Sequence, residues 1–418
     1  MKTSISALLL LPNSYRIEAH MNQVDHLLMN HSVFSYQYKL EQSIQPVLTS
    51  IEKNGLVIAN EWFTTGLQEK RNQLAHVGNE INQQIGSSNH EVVDEVALRK
   101  YWNNNDLPLA NGFDELKKYK HLHPTFQLMM DYKNHKNYLK MWDERLREKG
   151  TSVDGGISIK GTWQSFASRT GRITAKNLPL TSIPVAMRDY VVSPEGYHMY
   201  SLDLNNAELR FLAHYAKCDP LVQQFNQEVD VHAETAKLIR KNLGSHEISK
   251  DESRKLAKHF TYSLLYGAGT FTIAKNMRKT FSDVTSADVG VLKDAFYQKY
   301  PELLRFLFER GEDEKLLTPF GKIKPVVEFT KTQKKNFTMQ SSVSVAIKTL
   351  LAMLAKNNVT IVHVIHDEVW VLIPKDEQVE RFIEKSVNDF NEKIKEIFPG
   401  LPTKTILSKE KIGGKYDE

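Results

Sequence analysis

The apolar positions of this chain fall into blocks of two periods. Over residues 41–62, Ile44, Val47, Leu48 and Ile51 recur at three- and four-residue steps, and the pattern stops at Gly55, which predicts an amphipathic helix. Residues 1–35 ahead of it read as a short appendage. Residues 64–149 are helical in pattern and rich in charge. Within 124–149, Phe126, Met129, Met130, Tyr138 and Trp142 form an apolar set, and Lys133, Lys136, Lys140, Arg145 and Arg147 a basic one. A packing face opposite a solvated face is the simplest account, with DNA contact as the alternative. Gly150, Gly155 and Gly156 mark a break, and 157–166 is strand-like. Residues 198–203 (HMYSLD) alternate and end in an acid, and a helix starts near Asn206. Residues 215–330 are mostly helical and 332–356 make one long helix. Residues 360–374 (TIVHVIHDEVWVLIP) read as two strands around a tight turn at His366-Asp367. Helices, mixed sheet, helices and sheet, in that order, predict an α+β body with a helical insertion.

Composition narrows this only a little. With 418 residues, 41% of them hydrophobic, the chain can bury a core of two or three domains, or of one large divided domain. A net charge of +5 is compatible with an anionic partner without demanding one. The single cysteine, Cys218, excludes an internal disulfide framework and fits a reducing compartment. No run of eighteen apolar residues suggests a membrane span. The apolar stretch 5–11 lacks a small-residue cleavage site and reads as a buried segment rather than a secretion signal.

Two acids stand where chemistry is possible. Asp203 closes an apolar strand ahead of a helix, and Asp367 sits at a hairpin tip. Acids delivered to a cleft in this way can hold a pair of Mg²⁺ ions, which take few carboxylates plus water and substrate phosphates. A helix cap and a turn residue are the plain alternatives. The segment DESRKLAKHFTYSLLYGAG places Arg254, Lys258, Tyr262 and Tyr266 four residues apart, a slowly drifting stripe on one helix face. Arg254 and Tyr262 are roughly 12 Å apart along the axis at 1.5 Å per residue. Two cations followed by an aromatic ring match a triphosphate laid along a helix, and a solvated basic stripe is the alternative. Gly267 and Gly269 end the helix.

Taken together, these segments resemble the motifs of the family A DNA polymerases, which include bacterial DNA polymerase I. SLDLNNAELR resembles D-Y-S-Q-I-E-L-R; RKLAKHFTYSLLYG resembles R-R-x-A-K-x-x-N-F-G-x-x-Y-G; VIHDEV resembles V-H-D-E. TGRITAKNLPLTSIP matches T-G-R-L-S-S-x-x-P-N-L-Q-N-I-P in length and frame, and Asp230-Val231-His232 with Glu234-Thr235-Ala236 resembles D-I-H-x-x-T-A. The motifs occur in the family's order, and the similarity runs from about Glu41 to the C-terminus.

The resemblance implies a right-hand polymerase fold with an antiparallel-sheet palm, helical fingers and a helical thumb. The thumb would be 42–155, the palm 156–214 and 333–418, and the fingers 215–332, after an N-terminal appendage 1–41. It implies a DNA-directed DNA polymerase, a nucleotidyltransferase acting on primer–template DNA and dNTPs. Asp203 and Asp367, with the main-chain carbonyl of Leu204, are implied as ligands of two Mg²⁺ ions, for which Mn²⁺ can substitute; Glu368 beside them is a weaker candidate. Arg254, Lys258, His232, Tyr262, Asn206 and Glu208 are implied at the incoming nucleotide. Lys258 is also suited to offset charge, or donate a proton, as pyrophosphate leaves. Glu208 matches the steric gate that leaves no room for a 2′-hydroxyl. This counts against a ribonucleotide polymerase, as the paired acids count against a non-catalytic DNA binder. Arg172, Asn336, Gln340 and His366 are implied at the minor groove of the primer terminus, where every correct pair offers the same acceptors. Tyr266 is implied near the templating base. Without the motif, Gln340 is simply on a helix's polar face.

Some positions depart from the family pattern. Thr261-Tyr262-Ser263 stands where Asn-Phe-Gly is usual. The Tyr262 hydroxyl can stand in for a missing 3′-hydroxyl, so dideoxynucleotides are expected to be accepted. Ser263 bears on fidelity, and Thr181 and Ser182 replace Gln-Asn in the template-side loop. Residues 1–40 carry only Glu18 and Asp25 as acids, so neither proofreading nor a flap nuclease is expected. A phage, plasmid or mobile-element setting or a repair role, cytoplasmic and associated with the nucleoid or a replicating element, is expected for a monomer working with a helicase or processivity factor.

Overall fold

The computed structural model describes residues 32–89, 92–165, 167–243, 249–278, 283–313, 316–319, 321–323, 329–375 and 379–413. Residues 1–31, with Glu18 and Asp25 and the greater part of the expected appendage, lie outside them. The described residues divide into two compact units, one within 55–161, 183–194 and 412–413, and one within 32–54, 162–182 and 195–411.

In the smaller unit the charged stretch folds into the helices Gln68–Gln84, Glu95–Asn104, Phe113–Tyr119 and Pro124–Leu139. Phe126 and Met129 of the predicted apolar set are buried with Ile81, Leu98, Leu116 and Tyr132. The Trp102 ring stacks on Phe126 at 4.7 Å and its Nε1 donates to Thr125 Oγ1 at 2.8 Å, so the indole is buried without an orphaned donor. A four-stranded sheet runs in the order Thr151–Val153, Gly156–Ile159, Leu56–Ala59, Val191–Val192. The helix predicted from the 41–62 pattern is Ser32–Asn54 of the larger unit: it ends before Gly55 as expected but begins inside the presumed appendage, and Leu56–Ala59 is a strand. At Gly156 a Cβ would lie 2.2 Å from the Ile58 carbonyl oxygen, so only glycine allows these two strands to approach.

The larger unit carries every residue singled out above for chemistry. Its sheet is formed by β1 (Tyr197–Leu204), β2 (Thr360–Ile365), β3 (Glu368–Pro374) and β4 (Leu407–Ile412), in the order β2-β3-β1-β4. The β2–β3 hairpin turns at His366 and Asp367 as the pattern predicts, with His366 in the left-handed region at φ 49°. Helices α1 (Ala207–Ala216), α2 (Val231–Leu243) and α3 (Lys250–Leu265) follow β1. The predicted long helix is α4 (Lys331–Lys356). Among the described residues α4 is the helix long and apolar enough to cross a membrane, but 83% of that window is buried inside the protein, as in a core helix. Lys348 on α4 is buried against Glu41 of the Ser32–Asn54 helix and donates to the Ser165 carbonyl at 2.9 Å. Burial pushes the Lys348 ammonium down and the Glu41 carboxyl up from their ordinary values.

Candidate active site

Strand register brings the two acids to one end of the sheet. Asp203 lies opposite Glu368 in the β1–β3 pair, and the Leu204 amide donates to the Asp367 carbonyl at 2.9 Å. The hairpin tip is therefore tied to the end of β1 by main-chain bonds. Burial, with the nearby negative charge of Glu208, pushes the Asp367 carboxyl above its ordinary value. A partly buried concentration of negative charge is what a divalent cation relieves, and carboxylate oxygens are the hard donors that magnesium takes. Among the described residues no group of three or more His, Cys, Asp or Glu forms a metal cage. A two-carboxylate site leaves the other coordination positions to water and substrate oxygens. Glu368 is held differently: it is buried, and its Oε1 accepts from Ser201 Oγ at 2.5 Å and Trp370 Nε1 at 2.6 Å.

The turn out of β1 is built with care. Asn206 adopts φ 54° ahead of α1, a conformation that asparagine tolerates better than most residues. Arg210, 2% exposed, donates to the Asn205 carbonyl at 2.8 Å and the Pro402 carbonyl at 2.9 Å, and lies over the Phe225 ring. Burial lowers its pKa to about 10. Sequence reasoning quoted this arginine without a role. Nothing in the pattern singled it out, because Asn206 and His214, four residues to either side, already make its helix face polar.

Helix α3 is set by a capping box between Ser249 and Glu252, with Asp251 also in its first turn. Its four-residue stripe is continuous. Arg254, half-exposed, pairs with Asp230 at the start of α2 at 2.5 Å. Lys258 is exposed. The Tyr262 and Tyr266 rings stack at 6.4 Å, and His232 of α2 tilts against Tyr262 at 5.9 Å. The far end of the stripe meets the acids: burial and the charges of Glu208, Asp367 and Asp203 push the Tyr262 hydroxyl well up from its ordinary value. His232 is buried, and its Nε2 bonds the Asn206 Oδ1 at 2.9 Å, which makes Nε2 the donor and leaves Nδ1 buried without a partner. Burial, then the Lys258 charge, pushes its pKa down to about 4, so the ring is neutral near pH 7.

Glu208 is buried at the centre of the site. Arg172 Nη2 donates to its Oε1 and the Tyr266 hydroxyl to its Oε2. Burial, then Glu208, pushes the Tyr266 hydroxyl up, so it stays a donor, and Gln340 of α4 is close enough to oppose that shift. Arg172 Nε and Asn336 Oδ1 are buried with no partner. His366 is exposed beside Asp367. Asp203, Asp367, Glu208, Arg172, Tyr262, Tyr266, Gln340, His232 and Asn206 are thus brought together, with Lys258 within electrostatic reach of His232. Arg254 joins through its pair with Asp230, and Asn336 lies one turn from Gln340 on α4.

Known proteins resemble this chain in sequence and in fold. The family model for DNA polymerase family A matches residues 68–397. The DNA polymerase I of Pseudomonas aeruginosa is 26% identical over 64% of this chain and 30% of its own length. That of Helicobacter pylori is 23% identical over 72% of this chain and 34% of its own. The DNA polymerase of Mycobacterium phage D29 is 27% identical over 50% and 35% respectively. The chain spans about a third of the length of these curated relatives. A solved structure described as the POL domain of Pol1 from M. smegmatis in complex with DNA primer-template and dNTP superposes with a TM-score of 0.72 at 19% identity, covering 94% of this chain and 72% of that one. The fold is accordingly the α+β fold of a polymerase domain, and the chain belongs to DNA polymerase family A.

Proposed function

We propose that this chain is a template-directed DNA polymerase that adds deoxynucleotides to a primer 3′ end. The observation that carries the reading is the meeting of the two motifs: the Tyr262 hydroxyl, on the stripe of Arg254 and Lys258, lies in the field of Asp203, Asp367 and Glu208. Thumb 42–155, palm 156–214 with 333–418, and fingers 215–332 are the corresponding divisions.

Asp203 and Asp367, with the Leu204 carbonyl, would hold two magnesium ions. Magnesium, when bound, activates the primer hydroxyl and stabilises the leaving oxygen. Arg254 grips the triphosphate through its guanidinium fork once it leaves Asp230, and Lys258 meets the charge that develops on pyrophosphate. The bond from the primer 3′ oxygen to the α-phosphorus forms as the α–β bridge breaks. Neutral His232 serves as a hydrogen-bonding group rather than a cation. Glu208, clamped by Arg172 and Tyr266, excludes a 2′-hydroxyl. The unpartnered Arg172 Nε and Asn336 Oδ1 suit the minor-groove edge of the terminal pair, which offers acceptors and, at guanine, a donor.

Extension of a primed template with dNTP, rNTP or dideoxynucleotide, beside an unprimed control, tests this. Extension with dNTP only from the primed template is expected, with ready acceptance of dideoxynucleotides that Tyr262→Phe diminishes. Preference for rNTP, or no extension with any of them, would sink the reading.

A further inference from the structure

Asn336, Gln340, Ser344 and Lys348 recur every four residues along α4, apart from the buried polar residues Thr338, Ser341, Ser342 and Thr349 of the same helix. Such a stripe drifts slowly around the helix, rising about 6 Å per step. Ser344 is 4% exposed and donates to the Gly171 carbonyl at 2.6 Å. One turn on, Lys348 donates to the Ser165 carbonyl at 2.9 Å. Both Ser165 and Gly171 are thereby fastened to α4.

Gly171 is the residue before Arg172. It is buried at φ 75°, its amide donates to the Ser168 carbonyl at 3.1 Å, and Ser168 Oγ donates to the Arg172 carbonyl at 3.2 Å. A left-handed glycine is the adaptable point of such a turn, and Ser344 fixes the direction in which it delivers the next side chain. From Arg172 the contacts run to Glu208, and from Glu208 to the Tyr266 hydroxyl on the turn that ends α3. This run of contacts starts from one rigid helix, at Ser344, and reaches Glu208 through the residue that follows Gly171.

We propose that Ser344 is a positioning residue for sugar selection: by holding the Gly171 carbonyl it sets the reach of Arg172 and so keeps the Glu208 carboxylate fixed where a ribose 2′-hydroxyl would lie. This rests on the reading of Glu208 as the sugar filter. Ser344 touches neither nucleotide nor metal. Its removal loosens the gate by leaving the buried Gly171 carbonyl unsatisfied.

The test is single-nucleotide incorporation by the wild type, Ser344→Ala, Arg172→Ala and the double variant, with thermal unfolding of each. The readout is kcat/KM for dNTP divided by that for the matching rNTP. Ser344→Ala is expected to lower this ratio by about tenfold while dNTP incorporation falls much less. In the Arg172→Ala background it is expected to lower the ratio no further, because both substitutions act through one contact. A ratio equal to that of the wild type, or an effect that adds to that of Arg172→Ala, overturns the proposal. Where Ser344→Ala does not fold, Ser344→Cys, which keeps only a weak donor, is expected to give an intermediate ratio, and an unchanged ratio overturns the proposal equally. A wild type that extends no primer refutes the polymerase reading instead, so the two failures are distinct.

Discussion

The two halves of the site are held by different physics. The acid half is fixed by the backbone: Asp203 is locked in register on β1, and Asp367 sits in a hairpin turn whose carbonyl takes the Leu204 amide. The cation half is held by side chains alone, with Arg254 half-exposed in a pair with Asp230 and Lys258 exposed. Exposed ion pairs contribute little, about 0–1 kcal/mol, and exchange readily. A reaction centre benefits from groups already in place, whereas a gripping surface has to let go of a protein carboxylate before it takes a phosphate. The contrast teaches that the acids are preorganised and the cations are on loan.

The largest effect is expected at the acid half. Asp203→Ala or Asp367→Ala should cut synthesis by on the order of 10³-fold or more, with primer–template binding and thermal stability nearly unchanged. Loss of DNA binding in proportion to activity would break the contrast, because these acids would then be structural. Next comes Lys258→Ala, expected to lower kcat by about 10²-fold as the leaving charge goes unmet. Arg254→Ala should act mainly on KM for dNTP, by about tenfold, with a weaker dependence on salt than in the wild type. An Arg254 effect confined to kcat would place it in the preorganised half.

The smallest effect on synthesis is expected at His232. In the folded chain it takes a proton only near pH 4, against about 6.5 when unfolded, so the unfolded state binds more protons between these values. Folding stability is therefore expected to fall as pH drops from about 6.5 towards 4, while the imidazole of the folded chain stays neutral in NMR titration down to about pH 4. Lys258→Ala should raise its titration point by removing a repelling charge. A histidine titrating near 6.5 would show that the cation half carries a third positive charge.

Much of this was legible in the sequence, for identifiable reasons. Asp203 and Asp367 were readable because an acid at the end of an apolar strand or at a hairpin tip is an exception to a strong pattern. The α3 stripe was readable because four-residue spacing survives folding unchanged. What Glu208 bonds was not readable, since Arg172 and Tyr266 reach it from two separate segments. Nor was the inward hold on Glu368, which depends on Ser201 of the neighbouring strand. The Ser32–Asn54 helix begins earlier than its apolar pattern, because its first turns lie ahead of the periodic Ile44–Ile51 stretch. Ser344 left a faint trace in its spacing from Gln340, but the partner that gives it meaning is a main-chain oxygen, and no residue type announces one.

The contact between Glu41 and Lys348 spans 307 positions. On a ribosome moving at 5–20 residues per second, the glutamate emerges roughly 15–60 s before its lysine exists. The Ser32–Asn54 helix therefore waits through translation of those positions without the Lys348 partner it finally meets. Pausing of the ribosome within those 307 positions would lengthen the time that an unmatched acid waits in a half-made core.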